Sequence, residues 1–107
     1  MTKITFFKKE KIFTGFEVLG HTGKDEFGKD LLCCQISTVA QLAVVAVREV
    51  EKTKAFVEIA DGYLKVNMTP KEAAEEKFQF LFNTCLESFK SIIQDEQKFV
   101  KLEVKNV

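Results

Sequence analysis

The 107-residue sequence has no tryptophan, one proline, one tyrosine and one histidine, and its 16 basic and 16 acidic residues cancel to a formal net charge of zero. A balanced charge gives no general electrostatic drive toward nucleic acid, so direct nucleic-acid binding is not expected. The lysines that do cluster, Lys8, Lys9 and Lys11 and then Lys98, Lys101 and Lys105, read as a hairpin turn and an exposed strand face. Three cysteines are an odd number with no disulfide-type spacing, which points to reduced thiols and a cytoplasmic protein. No signal-peptide core opens the chain and no segment reaches the length of a membrane span, so no membrane partner is expected. A lone histidine, two adjacent cysteines and a distant third do not make a tetrahedral metal set, and Gly20, Gly23 and Gly28 lack phosphate-loop spacing. No cofactor and no metal follow from this sequence.

What is present is apolar: 46% of residues are hydrophobic and 11 are phenylalanine. That suffices for one core, and residues 1–107 read as a single domain without repeats or a linker. Alternation in Ile4 to Phe7 and from Ile12 to Leu19 predicts two strands, joined by the charged turn Lys8 to Lys11. A helix follows from Asp30 to about Val50, with Leu32, Ile36, Val39, Ala43 and Val47 as its apolar stripe. Strands at Ala55–Ala60 and Tyr63–Met68 flank Asp61-Gly62, a dipeptide suited to the positive φ angles of a tight hairpin. Thr69-Pro70-Lys71-Glu72 has the capping-box form and opens a second helix to about Asp95, whose stripe of Ala74, Phe78, Leu81, Cys85, Phe89 and Ile92 places Cys85 in the core. Phe99 to Lys105 is the last strand. The order strand-strand-helix-strand-strand-helix-strand predicts a two-layer α+β fold with both helices on one face of a largely antiparallel sheet.

Chemistry concentrates between the two halves of this pattern. His21 ends the second strand, and Cys33 follows twelve residues later. The polar stretch from Thr22 to Lys29 between them is long enough to double back. Asp30 reads as the helix N-cap, which puts Cys33 in the first turn, Ser37 one turn below it on the same face, and Cys34 about 100° away. A thiol is a weak nucleophile until ionised, and a helix N-terminus and a neighbouring imidazolium both favour the thiolate.

Gly20-His21, then Gly28-Lys29-Asp30, then Cys33 with Ser37 resembles, in order and spacing, the ribosomal-processing cysteine protease family Prp. The resemblance covers nearly the whole chain. It implies that Cys33 is the nucleophile and His21 its general base, with Gly20, Gly28, Asp30 and Ser37 in support and the Thr22–Lys29 loop a mobile cover ordered by substrate. It further implies an enzyme that removes a short N-terminal extension from the twenty-seventh protein of the bacterial large ribosomal subunit, cutting after an aromatic residue. The sequence departs from the family pattern at Thr22, where alanine is frequent, and at Cys34 and Gln35, where small residues are usual.

Two other functions fit the same residues: a non-catalytic module that holds ribosomal-protein tails, and a thiol redox sensor built on Cys33 and Cys34. Leu31, Leu42 and Val45 fall off the stripe of the first helix and Phe80 off that of the second, so a homodimer is expected to cover them.

Overall fold

The computed structural model describes residues 1–22 and 30–107. Strands β1 (Thr2–Lys9), β2 (Ile12–Leu19), β3 (Phe56–Ala60), β4 (Tyr63–Asn67) and β5 (Val100–Asn106) form one sheet in the order β3, β4, β2, β1, β5. Every pairing is antiparallel except β1 with β5, which is parallel. The parallel pair is possible because the intervening helices carry the chain across the sheet. Helix α1 (Leu31–Val45) runs on into a π-helical turn, Ala46–Val50; a short helix α2 (Pro70–Ala73) precedes the long α3 (Glu76–Ile92). The result is the expected two-layer α+β fold.

Ring packing fixes how the layers meet. Phe6 and Phe16 lie opposite each other on β1 and β2 and stack with centroids 4.9 Å apart. Phe89 meets them edge-on at 6.0 and 5.6 Å, and Phe82 meets Phe16 at 6.4 Å. Each such pair contributes about 0.5–1.5 kcal/mol beyond the area it buries. Ile36, Ala40, Ala43 and Val47 of the first helix complete this core. By length and composition alone, the helical stretch Leu31–Val50 would be long and apolar enough to cross a membrane, contrary to the expectation that no segment is. Its buried stripe is committed to the protein interior.

The second helix departs from the predicted single run. It breaks after Ala73, so Ala73 is buried and Ala74 is exposed, the reverse of the stripe placement. Gln79 holds the break: its amide donates to Ala73 O and Phe13 O at 2.7 and 2.8 Å, and its oxygen accepts from Phe13 N at 3.0 Å. After the break, Phe78, Phe82, Cys85, Leu86 and Phe89 face the core. Thr69 caps α2, its hydroxyl accepting from Glu72 N at 3.3 Å. Thr53 ends the first helix, its N–H and hydroxyl each donating to Val47 O at 2.9 Å.

Candidate active site

The end of β2 is set by Gly20. Its φ of +92° is left-handed, and a Cβ there would lie 2.6 Å from the carbonyl oxygen of Met1, so only glycine fits. The Gly20 N–H donates to Gly62 O at 2.7 Å, and the Thr2 hydroxyl donates to Gly20 O at 3.3 Å. His21 is therefore presented from a backbone tied on both sides. Its side chain is half exposed.

Asp30 sits before α1 as predicted and performs two tasks. One carboxylate oxygen accepts the Cys33 N–H at 2.9 Å, and the other accepts the hydroxyl of Thr22, which is buried. The Thr22 departure from the family pattern thus gains a role: the hydroxyl that alanine lacks ties the end of β2 to the start of α1. Thr22 is anchored, not part of a loose cover. Lys29, Gly28 and the remainder of the predicted cover, residues 23–29, lie outside the described residues, and with them the supporting role given to Gly28. Because Asn caps a helix as well as Asp, Asp30→Ala should cost about 1 kcal/mol and lower Tm by roughly 4–8 °C, with Asp30→Asn restoring most of it. Thermal melts of the three proteins check this. Equal Tm for all three would mean that the cap contributes nothing.

Cys33 is half-buried on the first turn, Cys34 is exposed, and Cys85 is buried in the core. Burial pushes the Cys85 thiol up to about 11, so it is inert near neutral pH. Ser37 lies on the same side of α1 as Cys33, but its oxygen accepts from the Gln41 amide at 2.7 Å. Ser37 therefore acts on the next turn of the helix. The Cys33 N–H is taken by Asp30 and the Cys34 N–H by Asp30 O at 3.1 Å, which leaves the N–H groups of Leu31 and Leu32 as the open donors of this helix end among the described residues.

These elements enclose one cavity of about 250 Å³, to which Gly20, His21, Cys33, Ser37, Gln41 and the Asp61-Gly62 turn all contribute. The structure brings His21 and Cys33 to the same space. It also adds residues that sequence reasoning read only as a turn. Asp61 Oδ1 lies 3.7 Å from His21 Nε2, too far for a hydrogen bond but close enough for electrostatic support of a charged imidazole. Gly62, with φ of +68°, passes so near that a Cβ would meet His21 Nε2 at 3.0 Å. Asp61 has no positive φ, so only one of the two turn residues takes the left-handed conformation. Tyr63 follows, its hydroxyl donating to Glu17 at 2.9 Å. Burial, then the Glu17 carboxylate, push its phenol up to about 12, which removes it as a proton donor or acceptor near neutrality. Among the described residues no group of three or more His, Cys, Asp or Glu could hold a metal ion.

Residues 1–101 match the family described as cysteine protease Prp. The chain belongs to that family. No curated protein sequence matches significantly. Among solved structures, SMU.848 from Streptococcus mutans is 25% identical with a TM-score of 0.84, covering 100% of this chain and 96% of its own. The essential ribosomal processing protease Prp from S. aureus, in complex with a covalently linked product peptide, is 20% identical with a TM-score of 0.87, covering 98% of this chain and 100% of its own. The same protease with a substrate peptide is 19% identical with a TM-score of 0.80, covering 98% and 100%. At these last two identities the likeness shows the fold. As a Prp family member, this chain is a cysteine protease.

Proposed function

We propose that this protein is a cytoplasmic cysteine endopeptidase that removes a short N-terminal extension from the twenty-seventh protein of the bacterial large ribosomal subunit. The observation that carries the reading is the shared cavity: the lone histidine and the helix-capped Cys33 line one space, next to an acidic turn. Cys33 Sγ, its proton taken by His21, attacks the carbonyl carbon of the scissile peptide bond. The developing oxyanion is held by backbone N–H groups at the start of α1. His21 then gives its proton to the leaving amine, the mature protein departs, and the extension remains as a thioester on Cys33. Water, deprotonated by His21, hydrolyses that thioester and frees the extension with a new carboxylate.

Asp61 supports the imidazolium that exists between the two proton transfers, while Asp30 and Gly20 position the two partners. The residue before the cut is aromatic in this reading, the specificity that the family resemblance implies. A peptide carrying an aromatic-rich extension, incubated with the protein and analysed by mass spectrometry, should be cut once, directly after an aromatic residue. An intact peptide, or cuts scattered along it, would sink this reading.

The thiols should differ in reactivity, and exposure predicts the opposite order from chemistry. Cys34 is the more exposed, yet Cys33 is the one that shares a cavity with the imidazole. With limiting iodoacetamide near pH 7, Cys33 should carry most of the label, Cys34 less and Cys85 none until the protein unfolds. Equal labelling of Cys33 and Cys34, read by peptide mapping, would count against the assignment.

The protein acts as a homodimer in this proposal. Leu31, Leu42 and Val45 are exposed on the first helix, and Phe80 is 73% exposed on α3, apolar side chains that a second copy would cover. Sedimentation equilibrium at micromolar concentration should give twice the chain mass. A single-chain mass would refute it.

A further inference from the structure

The sheet ends on one side in β3, whose outer edge pairs with no other strand among the described residues. Which main-chain groups point outward there follows from two bonds elsewhere. Gly20 N–H donates to Gly62 O, and Met68 N–H donates to Thr14 O, so the even-numbered residues of β4 carry the bonds toward β2. Main-chain groups of successive strand residues point to opposite sides. Tyr63, Lys65 and Asn67 therefore bond toward β3, where their partners in register are Ala60, Glu58 and Phe56. Val57 and Ile59 are left with N–H and C=O groups directed at the open edge.

That edge runs into the active-site cavity. Ile59, Ala60 and Asp61 line it together with His21 and Cys33, whereas no residue of β5, the opposite edge, does. Sheet edges are usually blunted by proline, a bulge or several charges. β3 has no proline, its register with β4 is unbroken, and Glu58 is its one charge. Ile59 is 60% exposed beside the cavity mouth.

We infer that β3 is a peptide-docking edge: an extended segment of the substrate pairs with the main chain of Val57 and Ile59 as a sixth strand, delivering the scissile bond to Cys33. Outward N–H and C=O groups at alternate residues are the pattern an extended polypeptide satisfies whatever its side chains, leaving selectivity to the cavity. Continuity between edge and cavity favours the substrate over a second copy of the chain as occupant. The inference rests on the peptidase reading for the identity of the ligand.

Binding separates the two. In Cys33→Ala protein, which cannot turn over, a fluorescein-labelled peptide with an aromatic-rich extension is titrated and followed by anisotropy. Adding Val57→Pro removes an outward N–H at an edge position that proline tolerates. It should raise Kd roughly three- to tenfold, the worth of one main-chain hydrogen bond, while Val57→Ala in the same background leaves Kd within twofold. Because proline could disturb β3, the second arm keeps the protein unchanged and replaces successive substrate amides by esters. Weakening should recur at alternate substrate positions. Unchanged Kd with Val57→Pro and no alternation in the ester series, or no binding of the peptide at all, overturns the inference. So does a wild-type dimer that Val57→Pro converts to monomer, which would assign the edge to a second copy. If the alternation is found but wild-type protein never cuts the peptide, the docking edge stands and the peptidase reading falls.

Discussion

Cys33→Ala should remove covalent turnover completely and leave peptide binding in place. Without sulfur no thioester forms, and neither Cys34, exposed on another face of the helix, nor Cys85, buried in the core, can substitute. The expected loss is at least about four powers of ten in kcat, down to the background of the uncatalysed reaction. The fold should hardly notice. Cys33 is half-buried, and the stripe of α1 that enters the core is Leu32, Ile36, Ala40 and Ala43, so Tm should stay within a few degrees of wild type. A variant that unfolds would assign Cys33 to packing; one that still cleaves would remove it from the chemistry.

His21→Ala should cost about two to four powers of ten in rate, the usual worth of a general base, again with little change in Tm. Its half-exposed side chain rests against the Asp61-Gly62 turn, not the phenylalanine cluster. A structural histidine would show the reverse pattern, moving stability more than turnover. Steady-state kinetics beside a melting curve separates the two. Cleavage at the wild-type rate would break the dyad.

The parts of this site that could be read from sequence are those made by near neighbours in the chain. Asp30, Cys33 and Ser37 share one helix start, where capping chemistry and a turn of 3.6 residues dictate relative position. Asp61 could not be read so. It reaches His21 because β2 pairs with β4, with Gly20 N–H bonded to Gly62 O across more than forty residues of sequence, and nothing local distinguishes that turn from any other. The Thr22 hydroxyl was visible only as a departure from a pattern; its partnership with Asp30 depends on closing the intervening loop.

The same division holds for the fold. Strands and helix stripes follow from apolar periodicity, and the phenylalanine core was legible in Phe78 and Phe89. The break after Ala73 was not, because the periodic signal of α3 extrapolates smoothly backward into Ala74. The break is held by Gln79 reaching Phe13 on β2. The Asp61-Gly62 turn differs in a similar way: the dipeptide allows two left-handed residues, and only Gly62 takes that conformation.

The central claim, that Cys33 attacks the peptide bond with His21 as its base, is tested most directly by catching the acyl-enzyme. Wild-type protein mixed with the precursor peptide and quenched in acid within a turnover should gain the mass of the N-terminal extension less one water, and peptide mapping should place the adduct on Cys33. His21→Ala should accumulate that adduct far more slowly, and Cys33→Ala never. An adduct on Cys34, or cleavage without any adduct at all, would contradict the account.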